Sequence, residues 1–238
     1  VADKRIVATA PMVIDMLNMS PQMDHQLEVW GDFSEEISEY TSRGLHDILP
    51  KPEGQKLASI VDPYSYRQSL TLPKLIVNGT NDPYWPVDAL NFYWDGLSGR
   101  KYALYVPNEG HGFSSYERVL GGLAGLHRHT SGKKQLPAIK WDFEEDGDSI
   151  RLSITSDQPV SLCQVWQATA PQRDFRFSEW SATKLSQEGK AYEFAMQKPT
   201  SGSSALFGEL VYAGRGFPLY LSTTTHVVQS DAVELQAK

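Results

Sequence analysis

The sequence predicts an α/β half built on a parallel sheet, followed by an all-β sandwich of the immunoglobulin or fibronectin type. Three observations carry that expectation. Short, nearly continuous apolar runs alternate with segments of helical spacing over residues 1–130. Thr130-Ser-Gly-Lys-Lys-Gln-Leu-Pro137 has linker composition, which makes 131–137 the expected boundary. Beyond it the helical period disappears and period-two alternation takes over.

In order along the chain, Arg5–Ile14 is an apolar run expected as a strand buried on both faces. From Asp24 to about Leu49 the spacing becomes helical, with Leu27, Trp30, Phe33, Ile37, Tyr40, Leu45 and Ile48 inward and a break at Gly31. A further helix over Gln55–Val61 stops at Asp62-Pro63, because a residue before proline disfavours the helical region. The whole stretch 24–61 reads as a lid-like helical insertion. Leu72–Asn78 and Lys101–Val106 are two more strands, separated by a helix over Pro86–Leu97 with proline near its first turn. Ser115–His129 closes this half as a helix. In residues 138–238, alternation over Ser149–Thr155, Val160–Ala168, Tyr192–Met196, Leu206–Tyr212 and Pro218–Val228 predicts about seven short strands in about 100 residues, the texture of a sandwich.

Composition excludes several functions. The 238 residues carry 22 Lys+Arg against 29 Asp+Glu, a net charge of −7 that does not suit a phosphate backbone, so no nucleic-acid partner is expected. No stretch approaches the ~18 apolar residues of a membrane span. The single cysteine, Cys163, cannot form an internal disulfide and reads as a small core residue. The chain starts at Val1, without an initiator methionine, and is expected to be a processed product or a fragment.

Ligands on open parallel sheets bind beyond the carboxyl ends of the strands. Two such ends carry reactive side chains: Asp82 in Gly79-Thr-Asn-Asp-Pro-Tyr-Trp85, and His111 in Asn108-Glu-Gly-His-Gly-Phe113. An acid on one strand end and a histidine on the next form the charge-and-base half of a hydrolase triad. The carboxylate fixes the imidazole tautomer and the imidazole takes the nucleophile's proton. Asp before His, with the nucleophile upstream of both, is the order of α/β-hydrolases. Against this stands the plainer reading that Asn-Asp-Pro is a turn whose Asp caps its own backbone and that Gly-His-Gly is a tight turn. No Gly-x-Ser-x-Gly elbow precedes either residue. Ser20, Ser34, Ser59 and Ser65 lack the strand and glycines an elbow needs, so the nucleophile is expected in a missing N-terminal portion.

Asp88 is a weaker alternative acid, expected inside a helix and facing solvent. Asp15 follows the first strand and is expected to serve turn structure. His127 and His129 diverge on a helix and nothing completes a metal site. His25, His46 and His226 read as surface or satisfied core residues. Trp30, Tyr84, Trp85 and Trp94 are candidates for an aromatic wall, with Tyr84 and Trp85 taken as substrate-binding. No cofactor or metal is expected.

Five segments then place the sequence. Ala10-Pro-Met-Val-Ile-Asp-Met-Leu-Asn18, Gly79–Trp85, Asn108–Gly112, Gln164-Val-Trp-Gln-Ala168 and Arg173-Asp-Phe-Arg176 resemble the PhoPQ-activated pathogenicity-related (PqaA-like) family. The likeness runs over nearly the whole chain. It implies a secreted or periplasmic protein of the α/β-hydrolase superfamily with a sandwich-like C-terminal extension. It implies that Asp82 is the acid, that His111 is the base, and that the nucleophile lies upstream of the segment matching Asp3–Pro11. On this reading the chain is the C-terminal, partial α/β-hydrolase portion of an enzyme acting on an ester or peptide through an acyl-enzyme. Alone it is expected to be inactive. Two rivals remain: a non-catalytic secreted binding module, and a chain that pairs with a separate nucleophile-bearing chain.

Overall fold

The computed structural model describes residues 3–230. Residues 1–2 and residues 231–238, the end of the expected sandwich, lie outside the described residues. Helices α1 (Met19–Trp30), α2 (Ser38–Thr41), α3 (Leu45–Ile48) and α4 (Pro52–Val61) precede the first strands. Strands β1 (Lys74–Gly79) and β2 (Lys101–Val106) are followed by α5 (Glu117–Thr130). Nine strands then complete the described chain: β3 (Ile139–Asp146), β4 (Ser149–Ser156), β5 (Leu162–Ala170), β6 (Ser181–Leu185), β7 (Gln187–Glu188), β8 (Ala191–Gln197), β9 (Ser203–Tyr212), β10 (Leu219–Ser222) and β11 (His226–Gln229).

The expected fold class does not hold. A parallel hydrolase sheet and a separate sandwich are replaced by two sheets, of which the larger is mixed and draws strands from both halves. Its order is β1-β2-β10-β9-β5-β6, with β11 also on β9; the smaller sheet is β3-β4-β8-β7. β1 and β2 pair in parallel, Lys74 opposite Lys101 through Gly79 opposite Val106. The other edge of β2 is taken by β10 running antiparallel, with Ser222 opposite Ala103. The buried Tyr105 N–H donates to Ser222 Oγ at 3.0 Å, 117 residues away in the chain. An open strand edge exposes a row of unpaired backbone groups, and β10 supplies partners for that of β2. Apolar runs identify strands but say nothing of which distant strand will cover an edge.

Two local expectations also change. Arg5–Ile14 is no regular strand. It follows β1 in parallel through the isolated bridges Thr9–Lys74 and Met12–Val77, and Ile6, Val7 and Ile14 stay exposed. Pro86–Leu97 is not a full helix: only Ala89–Phe92 forms a 3-10 turn. The helical reading of the remaining segments matches α1, α4 and α5. Gly31 ends α1 with φ +75°, a left-handed cap that glycine adopts without a Cβ penalty.

The alternation of β1 and β2 separates two apolar layers. Leu75, Val77, Leu104 and Val106 point to the side of Val119 and Leu126 on α5, and the same cluster continues through Leu152 and Ile154 of the smaller sheet to Val165, Leu206 and Leu210. Ile76, Ala103 and Tyr105 point the other way, onto Leu90, Tyr93, Trp94, Phe207 and Trp180. A third cluster of Met19, Met23, Ile37, Leu49, Trp85 and Ala89 seats the helical segment on the loop after β1. Cys163 is buried in the first cluster, where burial pushes its thiol up to about 12. Arg118 of α5 reaches the fully buried Glu209 at 2.8 Å, and Gln164 donates to the same carboxylate at 2.7 Å.

Candidate functional site

The loops that follow β1 and β2 are laced together by their own backbones. Thr80 N–H donates to Val106 O at 3.1 Å and Asn81 N–H to Glu109 O at 2.9 Å. Asn108 N–H donates to Thr80 Oγ1 at 2.8 Å, and that hydroxyl donates onward to Asn81 Oδ1 at 2.7 Å. The approach is close enough to demand glycine at position 79: a Cβ there would lie 2.3 Å from the carbonyl oxygens of both Glu109 and Gly110. Asn108 turns the second loop with φ +60°, a left-handed conformation asparagine tolerates better than most residues.

This lacing brings the two reactive side chains together. His111 Nδ1 lies 3.0 Å from Asp82 Oδ2 and 3.2 Å from Oδ1. Asp82 Oδ1 also accepts from Tyr84 N–H at 2.9 Å, so the Asx turn expected from Asn-Asp-Pro and the His contact coexist in one carboxylate. The Asp82 side chain is 12% exposed and that of His111 38%, so the pair lies at the surface with the acid beneath the imidazole. Burial raises the Asp82 pKa above its ordinary value, partly offset by the Tyr84 N–H and the His111 ring. Tyr84 stacks on His111, with ring centroids 3.8 Å apart and planes 24° off parallel. Among the described residues no hydrogen bond engages His111 Nε2, which leaves it available to a third group.

The other candidates separate. Trp85 is buried against Met19, Met23, Ile37 and Leu49 and supports the loop from below. Trp94 is core, while Trp30 is half-buried beneath the Arg176 guanidinium, 4.1 Å from its ring centroid. Asp88 does not face solvent. It is buried, with Oδ1 2.8 Å from His25 Nε2 and Oδ2 3.0 Å from Arg173 Nη2. Burial pushes its carboxyl up, but His25 and Arg173 together hold it below the ordinary range. This second His–carboxylate contact escaped sequence reading because the partners are 63 residues apart with no motif between them. Asp15 is buried, accepts from the Tyr93 hydroxyl, and lies within electrostatic reach of Asp82 and Asp88. Burial raises its pKa to about 7. Its only signal in the sequence was its place at the end of the first apolar run.

The connection between β5 and β6 forms another wall that the sequence did not reveal. Asn81 Nδ2 lies within hydrogen-bonding distance of the Phe175, Arg176 and Ser178 carbonyls, at 3.3, 3.2 and 2.8 Å. Asn108 grips Trp180 twice, donating to its carbonyl at 3.0 Å and accepting from its N–H at 2.7 Å. On the opposite side, Gln26 and Ser34 donate to the carbonyls of Tyr84 and Pro83, at 2.6 and 2.7 Å. Among the described residues no group of three or more His, Cys, Asp or Glu is arranged to hold a metal ion.

With that geometry in hand, comparison with known proteins identifies the family. The family model described as PhoPQ-activated pathogenicity-related protein matches residues 1–176. The chain belongs to this family. A curated relative, autocrine proliferation repressor protein A of Dictyostelium discoideum, is 29% identical over 237 residues, covering 89% of this chain and 48% of the relative. The chain therefore spans about half the length of that relative. Among solved structures, a carbohydrate-binding module family 56 β-1,3-glucan binding domain aligns over 39% of this chain and 99% of its own, at 12% identity and a TM-score of 0.27. A DUF3823 family protein from Bacteroides ovatus covers 56% of this chain and 60% of its own, at 10% identity and a TM-score of 0.28. Overlaps this slight carry no argument about fold or function. No helix among the described residues is long and apolar enough to cross a membrane.

Proposed function

We propose that this chain supplies the acid and the base of a serine-type hydrolase, with the nucleophile contributed by a segment upstream of it. The observation that carries this reading is the Asp82–His111 contact at 3.0 and 3.2 Å with Nε2 left open. A carboxylate on Nδ1 holds that nitrogen protonated and points the Nε2 lone pair outward, the arrangement a general base needs. In the first half-reaction the serine oxygen bonds to the substrate carbonyl carbon while its proton moves to Nε2. The tetrahedral adduct then expels the alcohol or amine, which takes that proton back from Nε2, and an acyl-enzyme remains. Water repeats the two steps and releases the acid. The Asp82 carboxylate stabilises the imidazolium in both.

The substrate class is an ester or peptide. Tyr84, stacked on the imidazole, lines the acyl or leaving-group side; Trp85 backs it; the helical segment 24–61 covers the loop as a lid. The relative is named an autocrine proliferation repressor, and together with the family resemblance this supports a secreted or periplasmic location. The test is ester hydrolysis by the intact protein, including the segment upstream of Val1, with p-nitrophenyl acetate. His111→Ala is expected to lower kcat by about 10³-fold or more with the fold intact. Equal rates for the variant and the parent would refute the assignment.

A further inference from the structure

The hydrolase reading leaves open what holds Asp82 and His111 in register, since each sits on a loop and one is well exposed. Both residues are next to or near an asparagine whose side chain serves the same third element. Asn81 adjoins Asp82, and its Nδ2 faces the Phe175, Arg176 and Ser178 carbonyls of the 171–180 loop. Asn108 lies three residues before His111 and clamps the backbone of Trp180 through both ends of its amide. The loop they hold is itself anchored. The Trp180 ring is buried, 5.5 Å from Phe207 and 6.2 Å from Phe175 between ring centroids. Arg173 ties the loop's start to Glu28 at 2.7 Å and Asp88 at 3.0 Å.

Resting on the acid–base assignment, we propose that Asn81 and Asn108 are positioning residues for the Asp82–His111 pair, registering both loops against the 171–180 loop. A side-chain amide that donates to one backbone and accepts from it is satisfied in a single geometry. Asn108 grips Trp180 in this way, and Asn81 donates from the other loop to the same segment while its Oδ1 accepts from Thr80, so the two amides together fix the distance between the loops. The Thr80 hydroxyl, which accepts from Asn108 N–H and donates to Asn81 Oδ1, closes the circuit. The β-rich half is thereby a part of the site: its loop touches neither reacting group, yet it sets where they stand.

The test reads the tautomer of His111 by NMR in the chain labelled with isotopic histidine, with the resonance assigned from a His111→Gln sample. The carboxylate selects the Nδ1–H tautomer, and Asp82→Ala defines its loss. Asn108→Gly keeps the left-handed backbone, which glycine adopts freely, while removing both bonds to Trp180. Asn81→Ala removes the other grip and serves if the first variant fails to fold. Each is expected to move the tautomer balance at least half-way to that of Asp82→Ala. In the intact protein, each should slow labelling by a fluorophosphonate between about tenfold and a hundredfold, the effect of displacing a reacting group by about 1 Å. A lower melting temperature with an unchanged tautomer would overturn the proposal, because a merely structural role loosens the fold without touching the imidazole. A shifted tautomer in an intact protein that no fluorophosphonate labels would uphold the positioning role and refute the hydrolase reading instead.

Discussion

Asp15 offers a quantitative check on the buried electrostatics beneath the site. Its carboxyl is buried, accepts from the Tyr93 hydroxyl, and has Asp82 and Asp88 for charged neighbours. Burial raises its pKa from 3.8 to about 7. In the folded protein it therefore keeps its proton over a range in which the unfolded chain has lost it. The native state binds more protons than the unfolded state between these values, so stability falls as pH rises through the window and levels off above pH 7. A difference of about 3 pKa units at ~1.4 kcal/mol each is about 4 kcal/mol across the whole window. From about pH 5 to about pH 8 the loss is about 3 kcal/mol. Asp15→Asn keeps an acceptor for Tyr93 and cannot ionise. Its stability relative to the parent, measured by urea denaturation at both pH values, should rise by about 3 kcal/mol from the lower to the higher. The comparison cancels the titration of groups remote from Asp15, which both proteins share. A difference that stays constant with pH would refute the account of a neutral buried Asp15.

Three further outcomes follow from the packing. Arg118→Ala leaves the Glu209 carboxylate, 0% exposed, with Gln164 as its one remaining side-chain donor among the described residues; a loss of about 3–5 kcal/mol in denaturant unfolding is expected. Ser222→Ala removes the acceptor of the buried Tyr105 N–H, which should cost about 1–3 kcal/mol and speed hydrogen exchange at that amide. Gly79→Ala sets a methyl 2.3 Å from two carbonyl oxygens, so the loops must part; about 1–3 kcal/mol of stability should go, as for other overpacked sites, along with the His111–Asp82 contact seen by NMR.

The local elements were more legible than their assembly. α4 ends at Asp62-Pro63, and α1 ends at Gly31, because proline and glycine act on the residues beside them. β1 and β2 stood out as unbroken apolar runs, and each residue of β1 is buried. What the sequence could not convey is that β10 closes the edge of β2, since Ser222 and Ala103 share no signal that pairs them. The same limit governs the site. Asp82 and His111 were found because strand ends are where reactive loops gather, and the structure brings them to 3.0 Å. A helix over Pro86–Leu97 would turn Asp88 to solvent, whereas only Ala89–Phe92 turns and Asp88 points inward to His25 and Arg173. The asparagines passed unnoticed: Asn81 and Asn108 look like ordinary turn residues until the 171–180 loop is seen between them.

The central claim, that Asp82 and His111 activate a serine supplied from upstream, is tested most directly by mapping a fluorophosphonate adduct on the intact protein by mass spectrometry. The account predicts one modified serine, located before the segment that begins at Val1, and loss of that adduct in both Asp82→Ala and His111→Ala. Folded, intact protein that takes up no adduct, or an adduct that forms equally well without His111, would contradict it.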